Sequence, residues 1–177
     1  MNANHIKYSQ GDATLVNPRE TIIFHIVNNL GKWGKGFVVA LSNRYPSSRI
    51  EYLRFCDDMK ILHSEMWQQE VIGHVQMVEL VECEIANLFA QVGILSKTNK
   101  QPLNYGLLTT CLEDLYDKIV STPKYLDRQG NVKYKLQCPK LGAGLAGGDF
   151  TKIEPIIIKT LVNRVPSLDV TIFEWDK

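Results

Sequence analysis

Two hydrophobic periods alternate along this chain. Residues 21–27 (TIIFHIV) form a continuous, β-branched apolar run, which predicts a strand buried on both faces. Shorter runs at residues 6–8, 75–81, 84–90, 134–139 and 170–175 (VTIFEW) also read as strands, with a tight polar turn at Glu82 and Cys83. Between them the spacing changes to that of helices. Residues 37–44 predict a helix stopped by Pro46, and residues 49–62 another, capped by Ser48, with Ile50, Leu53, Met59 and Leu62 on its inner face. Residues 103–120 carry the stripe Leu107, Leu108, Cys111, Leu112, Leu115 and Ile119. Residues 151–165 predict a last helix, in which Pro155 fits only within the first turn. Residues 122–131, with proline, glycine and charge, read as a surface loop.

Strands that alternate with helices argue for an α/β fold, a mixed sheet covered by helices on both faces. In such sheets ligands bind outside the carboxyl ends of the strands. Two glycine-rich stretches follow predicted strands and should lie there: residues 28–36 (NNLGKWGKG) and 142–148 (GAGLAGG).

Composition narrows the class without naming a function. The 177 residues are 45% hydrophobic and 22% charged, ordinary values for one globular domain. A net charge of +1 provides no global basic field, so direct nucleic-acid binding is not expected. Without an apolar run of 18 residues or a leader-like start, the expectation is a cytoplasmic protein without a membrane partner. Cys56, Cys83, Cys111 and Cys138 form no C-x-x-C pair and lie in apolar surroundings, as core residues do. Neither a metal site nor a cofactor is expected from the pattern of Asp, Glu, His and Cys.

The second glycine stretch carries the strongest local signal. Gly142, Ala143, Gly144, Leu145, Ala146 and Gly147 spell G-x-G-x-x-G between a strand and a helix. Such a loop lets backbone amides and a helix N-terminus face an anion, although the same letters also make a flexible turn. A nicotinamide-dehydrogenase reading fits badly. Asp169 lies at a suitable distance for a ribose-binding acid, yet only one helix and one strand remain after the loop. The first stretch is not a P-loop. Asn28 and Asn29 suit sugar hydroxyls there, or simply cap a turn. His25 interrupts an apolar strand, either as a satisfied core histidine or as a general acid–base group near Asn28. Gly11-Asp12 after the first strand is a turn, or an acceptor for an adenine amino group. Phe173 and Trp175 share one side of the last strand, as core residues or as a stacking surface.

Taken in order, these pieces resemble a macro domain. The chain shows G-D after the first strand, then strand, Asn, glycine loop and helix over residues 22–37. P-x-[LI]-G-x-G-L-x-x-G at 139–148 follows, and a V-T-I-F strand ends the pattern. The likeness spans nearly the whole chain. The segment His25, Asn28, Gly31, Trp33, Gly34, Gly36 is similar to that of the small branch that includes ADP-ribose 1''-phosphate phosphatases.

The resemblance implies a three-layer α/β/α domain over residues 1–177, with a mixed sheet of about six strands and ADP-ribose, or a 1''-derivative of it, as ligand. It implies Asp12 and Ala13 at the adenine, with Phe173 flanking the ring. Asn28 would contact the distal ribose. Trp33, Gly34, Lys35, Gly36 and Phe37 would line one side of the diphosphate, and Gly142, Ala143, Gly144, Leu145, Ala146 and Gly147 the other. A phosphatase would use His25 and Asn28 as catalytic residues. Gln91 and Ala146 stand where the deglutamylating branch carries lysine and aspartate, so covalent lysine chemistry is not expected. The alternatives are hydrolysis of ADP-ribosyl from macromolecules, hydrolysis of O-acetyl-ADP-ribose, or a non-catalytic ADP-ribose reader.

Overall fold

The computed structural model describes residues 6–17, 20–142 and 144–175. Six strands form one sheet in the order β1 (Lys7–Gln10), β6 (Asp169–Glu174), β5 (Lys135–Pro139), β2 (Thr21–Asn28), β4 (Glu84–Gln91), β3 (Val75–Glu79). All neighbours run parallel except β3, which turns back on β4 through a hairpin closed by the Leu80 amide on the Cys83 carbonyl. The carboxyl ends of β1, β6, β5, β2 and β4 therefore share one edge, and both glycine loops leave from it.

Helices cover both faces, as the alternating pattern requires. Successive β2 residues point to opposite sides. Ile22 and Phe24 pack with Ala86 and Leu88 of β4 under α4 (Tyr105–Ser121) and α5 (Phe150–Ile157). Ile23, Val27, Ile85 and Phe89 pack instead against α1 (Phe37–Arg44), α2 (Pro46–His63) and α3 (Trp67–Val71). Because β2 and β4 are buried on both faces, they read as unbroken apolar runs. The stripe expected of α4 is the buried one, from Leu108 to Ile119.

Several local expectations are corrected. Ser48 is not a cap: Tyr45 is the N-cap, Pro46 opens α2, and the Ser48 hydroxyl donates back to the Tyr45 carbonyl at 2.7 Å. The fully buried face of α2 is Ser48, Tyr52 and Cys56, four residues apart; of the expected positions Leu53 and Met59 pack partly buried against the same core, while Ile50 and Leu62 are 61% and 71% exposed. Pro155 lies beyond the first turn of α5, where its missing N–H leaves the Thr151 carbonyl without a helical donor. The helix then widens into a π turn at Ile158–Val162. The loop at residues 122–131 is partly core, because Tyr125 is buried and its hydroxyl donates to buried Glu84. Residues 64–71, without a sequence expectation, hold a 3-10 turn and α3. The four cysteines are free and buried, and no described helix is long and apolar enough to cross a membrane.

Candidate functional site

At the carboxyl ends of β2 and β4 a cavity of about 400 Å³ opens between the two glycine loops. Ile26, Val27, Asn28, Lys32, Gly34, Lys35, Val38, Gln91, Ile94, Leu95 and Leu145 line it. A slightly larger hollow, about 470 Å³, lies along the open β3 edge and holds none of the expected residues. The smaller cavity is therefore the candidate site, since the loops and strand ends converge on it.

The first loop is held by side chains beneath it. Between Ile26 and Asn28 the register of β2 on β4 slips by one residue, which re-aims the strand end at the cavity. The Asn28 Oδ1 accepts from the amides of Leu30 and Lys32 at 3.0 and 3.1 Å, and its Nδ2 donates to the Lys32 carbonyl at 2.7 Å. Asn28 thus folds the turn itself, and one Nδ2 hydrogen remains for a ligand. The Tyr52 hydroxyl donates to the Asn28 carbonyl at 2.8 Å from below. Asn29 does not face a sugar. Its Oδ1 accepts from the Gly93 amide at 2.9 Å, tying this loop to residues 92–102.

What the first loop offers a ligand is backbone. Gly36 is the N-cap of α1 and provides no side-chain cap. The amides of Gly34, Lys35, Gly36, Phe37 and Val38 have no hydrogen-bond acceptor among the described residues. Free amides at a helix start form an anion site, reinforced by the helix dipole. Lys32 and Lys35 are exposed beside them, and neither has an ion-pair partner among the described residues. A Cβ on Gly34 would meet nothing within 4 Å, so this backbone borders open space.

The second loop is built differently. The Gly148 amide donates to the Gly142 carbonyl at 2.7 Å, the Gly147 amide to Gly144, and the Leu103 amide to Ala146, which clamps the loop to the start of α4. The amides of Leu145 and Ala146 stay free among the described residues. Leu145 reaches across the cleft, its Cδ1 lying 3.6 Å from where a Gly36 Cβ would be. The start of α5 is no anion site. Asp149 caps it by accepting from the Thr151 amide at 3.0 Å and the Thr151 hydroxyl at 2.7 Å. Those bonds hold its carboxyl below the usual range, so a negative charge already occupies that helix end. The helix-start anion expected after the second loop is therefore not found at α5, whereas α1, after the first loop, has the uncapped start. Ala143 falls outside the described residues.

Two residues expected in the site lie beneath it. His25 is 2% exposed and absent from the cavity wall. Its ring meets Trp33 edge-on, with centroids 5.7 Å apart, and Phe37 at 5.6 Å, and its Nε2 is 2.6 Å from the Asn87 Oδ1. Burial pulls its pKa down to about 4, against the opposing Asn87 hydrogen bond. The imidazole is thus buried and uncharged beneath the loop, outside the cavity wall in which its expected catalytic role would place it. Trp33 is likewise core, 9% exposed and tilted on Tyr52 at 5.1 Å.

At the other end of the same edge lie Asp12 and Phe173. The Asp12 Oδ1 accepts from the Thr14 amide and hydroxyl at 2.8 and 2.7 Å, and its Oδ2 is 3.3 Å from Arg44. Partial burial raises the Asp12 pKa, but these bonds outweigh it and keep the carboxyl below the usual range. Its Oδ2 retains a lone pair for another donor. Phe173 is half-buried near the end of β6, opposite Ser9, whereas Trp175 is 64% exposed. Ala13 is buried and its carbonyl accepts from Gln137 at 2.7 Å, so only its backbone N–H could meet a ligand. No cluster of His, Cys, Asp and Glu suited to a metal ion occurs among the described residues. Gln91, Ile94 and Leu95 line the cavity without having been expected there as ligand-facing residues. The resemblance singles out Gln91 only as the residue in the place of the deglutamylating branch's lysine.

No protein-family model matches the chain, and neither does any curated protein. Solved structures do. A protein of unknown function from Bacteroides thetaiotaomicron is 29% identical with a TM-score of 0.79, covering 98% of this chain and 99% of that one. A macrodomain protein from Streptomyces coelicolor is 29% identical with a TM-score of 0.71, covering 96% and 98% of the two chains. Thermosipho africanus DarTG in complex with ADP-ribose is 17% identical, with a TM-score of 0.67 over 97% of this chain and 42% of that one, a likeness of fold alone.

Proposed function

We propose that this chain, a member of the macrodomain family, holds ADP-ribose along the carboxyl edge of its sheet and hydrolyses the phosphate ester of ADP-ribose 1''-phosphate. The uncapped start of α1 carries the binding reading: of its five free amides, those of Gly34, Lys35 and Val38 belong to residues that line an open cavity, which the two unpaired lysines line as well. The ADP-ribose bound to a Thermosipho protein of this fold supports it. In this reading the Asp12 Oδ2 accepts from the adenine amino group, and Phe173 flanks the ring. The diphosphate lies between Gly34–Phe37 and the free amides of Leu145 and Ala146, under the Leu145 side chain. The distal ribose enters the cavity, where the free Nδ2 hydrogen of Asn28 orients a hydroxyl.

The chemistry asked of the site is modest. Water attacks phosphorus, the bond from phosphorus to the sugar oxygen breaks, and that oxygen takes up the proton water gives up. Phosphoryl transfer passes through a loose transition state whose charge spreads over the equatorial oxygens, so positioned positive groups do most of the work. Lys32, Lys35 and the amides supply them. One observation favours a second reading, a non-catalytic reader: neither carboxylate nor imidazole lines the cavity.

Calorimetry with ADP-ribose, together with phosphate release from the 1''-phosphate, separates the readings. Binding with phosphate release supports the phosphatase, binding without release of any group from a panel of ADP-ribose derivatives selects the reader, and no binding overturns both. Gly34→Ala checks the placement. The site has room for the methyl group and no positive φ, so the fold is unaffected, while affinity falls about tenfold.

A further inference from the structure

A line of polar groups runs from the partly exposed β3 edge to two buried side chains, Asn87 and His25, under the first loop. The Glu51 carbonyl of α2 can only accept, so the Gln76 Nε2 donates to it at 2.9 Å. That turns the Gln76 Oε1 toward Asn87, whose Nδ2 donates to it at 2.9 Å. The Asn87 Oδ1 is then left facing His25 at 2.6 Å, and His25 must carry its proton on Nε2. A backbone carbonyl of α2 thus sets, through β3 and β4, the tautomer and ring orientation of a histidine on β2, the third strand from that edge. Asn87 is fully buried, and His25 nearly so.

The His25 ring touches Trp33 and Phe37, which bracket the free amides of residues 34–36. Two buried polar atoms without a hydrogen-bond partner sit in this stack, the His25 Nδ1 and the Trp33 Nε1. With the proton on Nε2, the first is an acceptor and the second a donor. Three apolar rings would fill the same space without a polar network or unpaired atoms. Packing alone therefore does not account for a histidine here. An imidazole anchored through Nε2 has one fixed orientation, whereas a phenyl ring in the same slot would have no directional bond.

We propose that His25 and Asn87 are positioning residues for the anion site: their hydrogen bond fixes the ring against which Trp33 and Phe37 hold the loop amides in line with a diphosphate. The proposal rests on the reading that residues 34–38 hold the diphosphate of ADP-ribose. Neither residue touches the ligand.

The test uses the full chain and a matched apolar pair, His25→Phe with Asn87→Leu, alongside Asn87→Ala. Exchanging His25 and Asn87 together for apolar groups keeps stability near wild type, and the Oε1 of partly exposed Gln76, which loses the Asn87 donor, turns to water, so the melting temperature stays within a few degrees. Backbone ¹⁵N order parameters at residues 33–38 are expected to fall from about 0.85 to below about 0.6, and ADP-ribose affinity is expected to fall about tenfold. Asn87→Ala keeps the imidazole and removes its anchor, together with the donor to the Gln76 Oε1, so it decides by the same criterion if the double variant fails to fold. Unchanged loop order in a folded variant without the hydrogen bond overturns the proposal. A wild-type protein that binds no ADP-ribose would remove the functional reading, and the order parameters would still decide whether His25 and Asn87 position the loop.

Discussion

The two glycine loops look alike in composition and are built for opposite purposes. In the second, a Cβ on Gly142 would come within 2.7 Å of Ile153 and Leu103, one on Gly147 within 2.3 Å of the Lys100 carbonyl oxygen, and one on Gly148 within 2.5 Å of Leu103. Of its described glycines, only Gly144 faces open space. Those three glycines let the loop lie against residues 100–103. In the first loop Gly34 is open, Gly36 faces only the tip of Leu145, and the helix that follows has no cap. The loop that spells G-x-G-x-x-G is thus mostly a packing device with two free amides, those of Leu145 and Ala146, and the loop that is no P-loop presents five. A glycine pattern records where side chains are excluded, but not what excludes them.

The largest test of this contrast is Gly147→Ala. Its φ of +68 is a left-handed conformation, and the added methyl would collide with a backbone carbonyl that has no side-chain freedom to yield. Left-handed backbone costs about 1–2 kcal/mol and overpacking about 1–3 kcal/mol, so a loss of about 3 kcal/mol is expected in urea unfolding. Gly144→Ala, in the same loop, is expected to stay within about 0.5 kcal/mol of wild type. Equal losses at both positions would break the contrast, because the loop would then be uniformly tight.

A second test separates what lies under each loop. The first rests on buried His25, whose pKa of about 4 in the folded protein lies below its ordinary 6.5. Between those values the unfolded chain binds the proton more readily than the folded one. The His25 contribution is therefore intact above about pH 6.5 and is lost as pH falls toward about 4, a decline on the order of 3 kcal/mol. Carboxylates held below their usual range, Asp12 and Glu174 among them, add their own loss at lower pH, so the informative quantity is a difference. Wild type minus His25→Phe, from unfolding curves at pH 7 and pH 4.5, should show a slope in wild type that the variant lacks. Parallel curves would mean that His25 titrates normally and that the core under the first loop is wetter than its burial indicates.

These contrasts mark where sequence reasoning reached and where it stopped. β2 and β4 were legible because burial on both faces leaves unbroken apolar runs, and α4 because its stripe repeats at helical spacing. Both loops were correctly placed at the carboxyl edge, since each follows a parallel strand. The inner face of α2 was half legible: Leu53 and Met59 pack against the core as expected, but its fully buried positions include Ser48 and Cys56, which hydropathy ranks below the exposed Ile50 and Leu62. Residues 64–71 are too short for periodicity to register. Within the site, residue types were legible and their directions were not. His25 falls near the end of a strand that reaches the cavity, yet the side-chain alternation of β2 sends it under the loop, toward Asn87 on a neighbouring strand. That pairing depends on register, which the letters of a single strand do not carry.

The smallest expected effect concerns the two helix starts. Asp149 caps α5 with a carboxylate, while α1 has free amides and nothing negative. If the diphosphate is held by α1, the charge at residue 149 is a distant, exposed neighbour, screened by salt. Asp149→Asn keeps a capping side chain, because asparagine caps as well as aspartate, and removes only the charge. The expected change in ADP-ribose affinity at physiological ionic strength is less than about twofold, slightly in favour of tighter binding. Calorimetry on the wild type and the variant measures it directly. A tenfold gain would mean that the Asp149 charge opposes an anion at the start of α5. The second loop would then share the diphosphate on equal terms, and its free Leu145 and Ala146 amides would have to carry the binding argument together with those of residues 34–38.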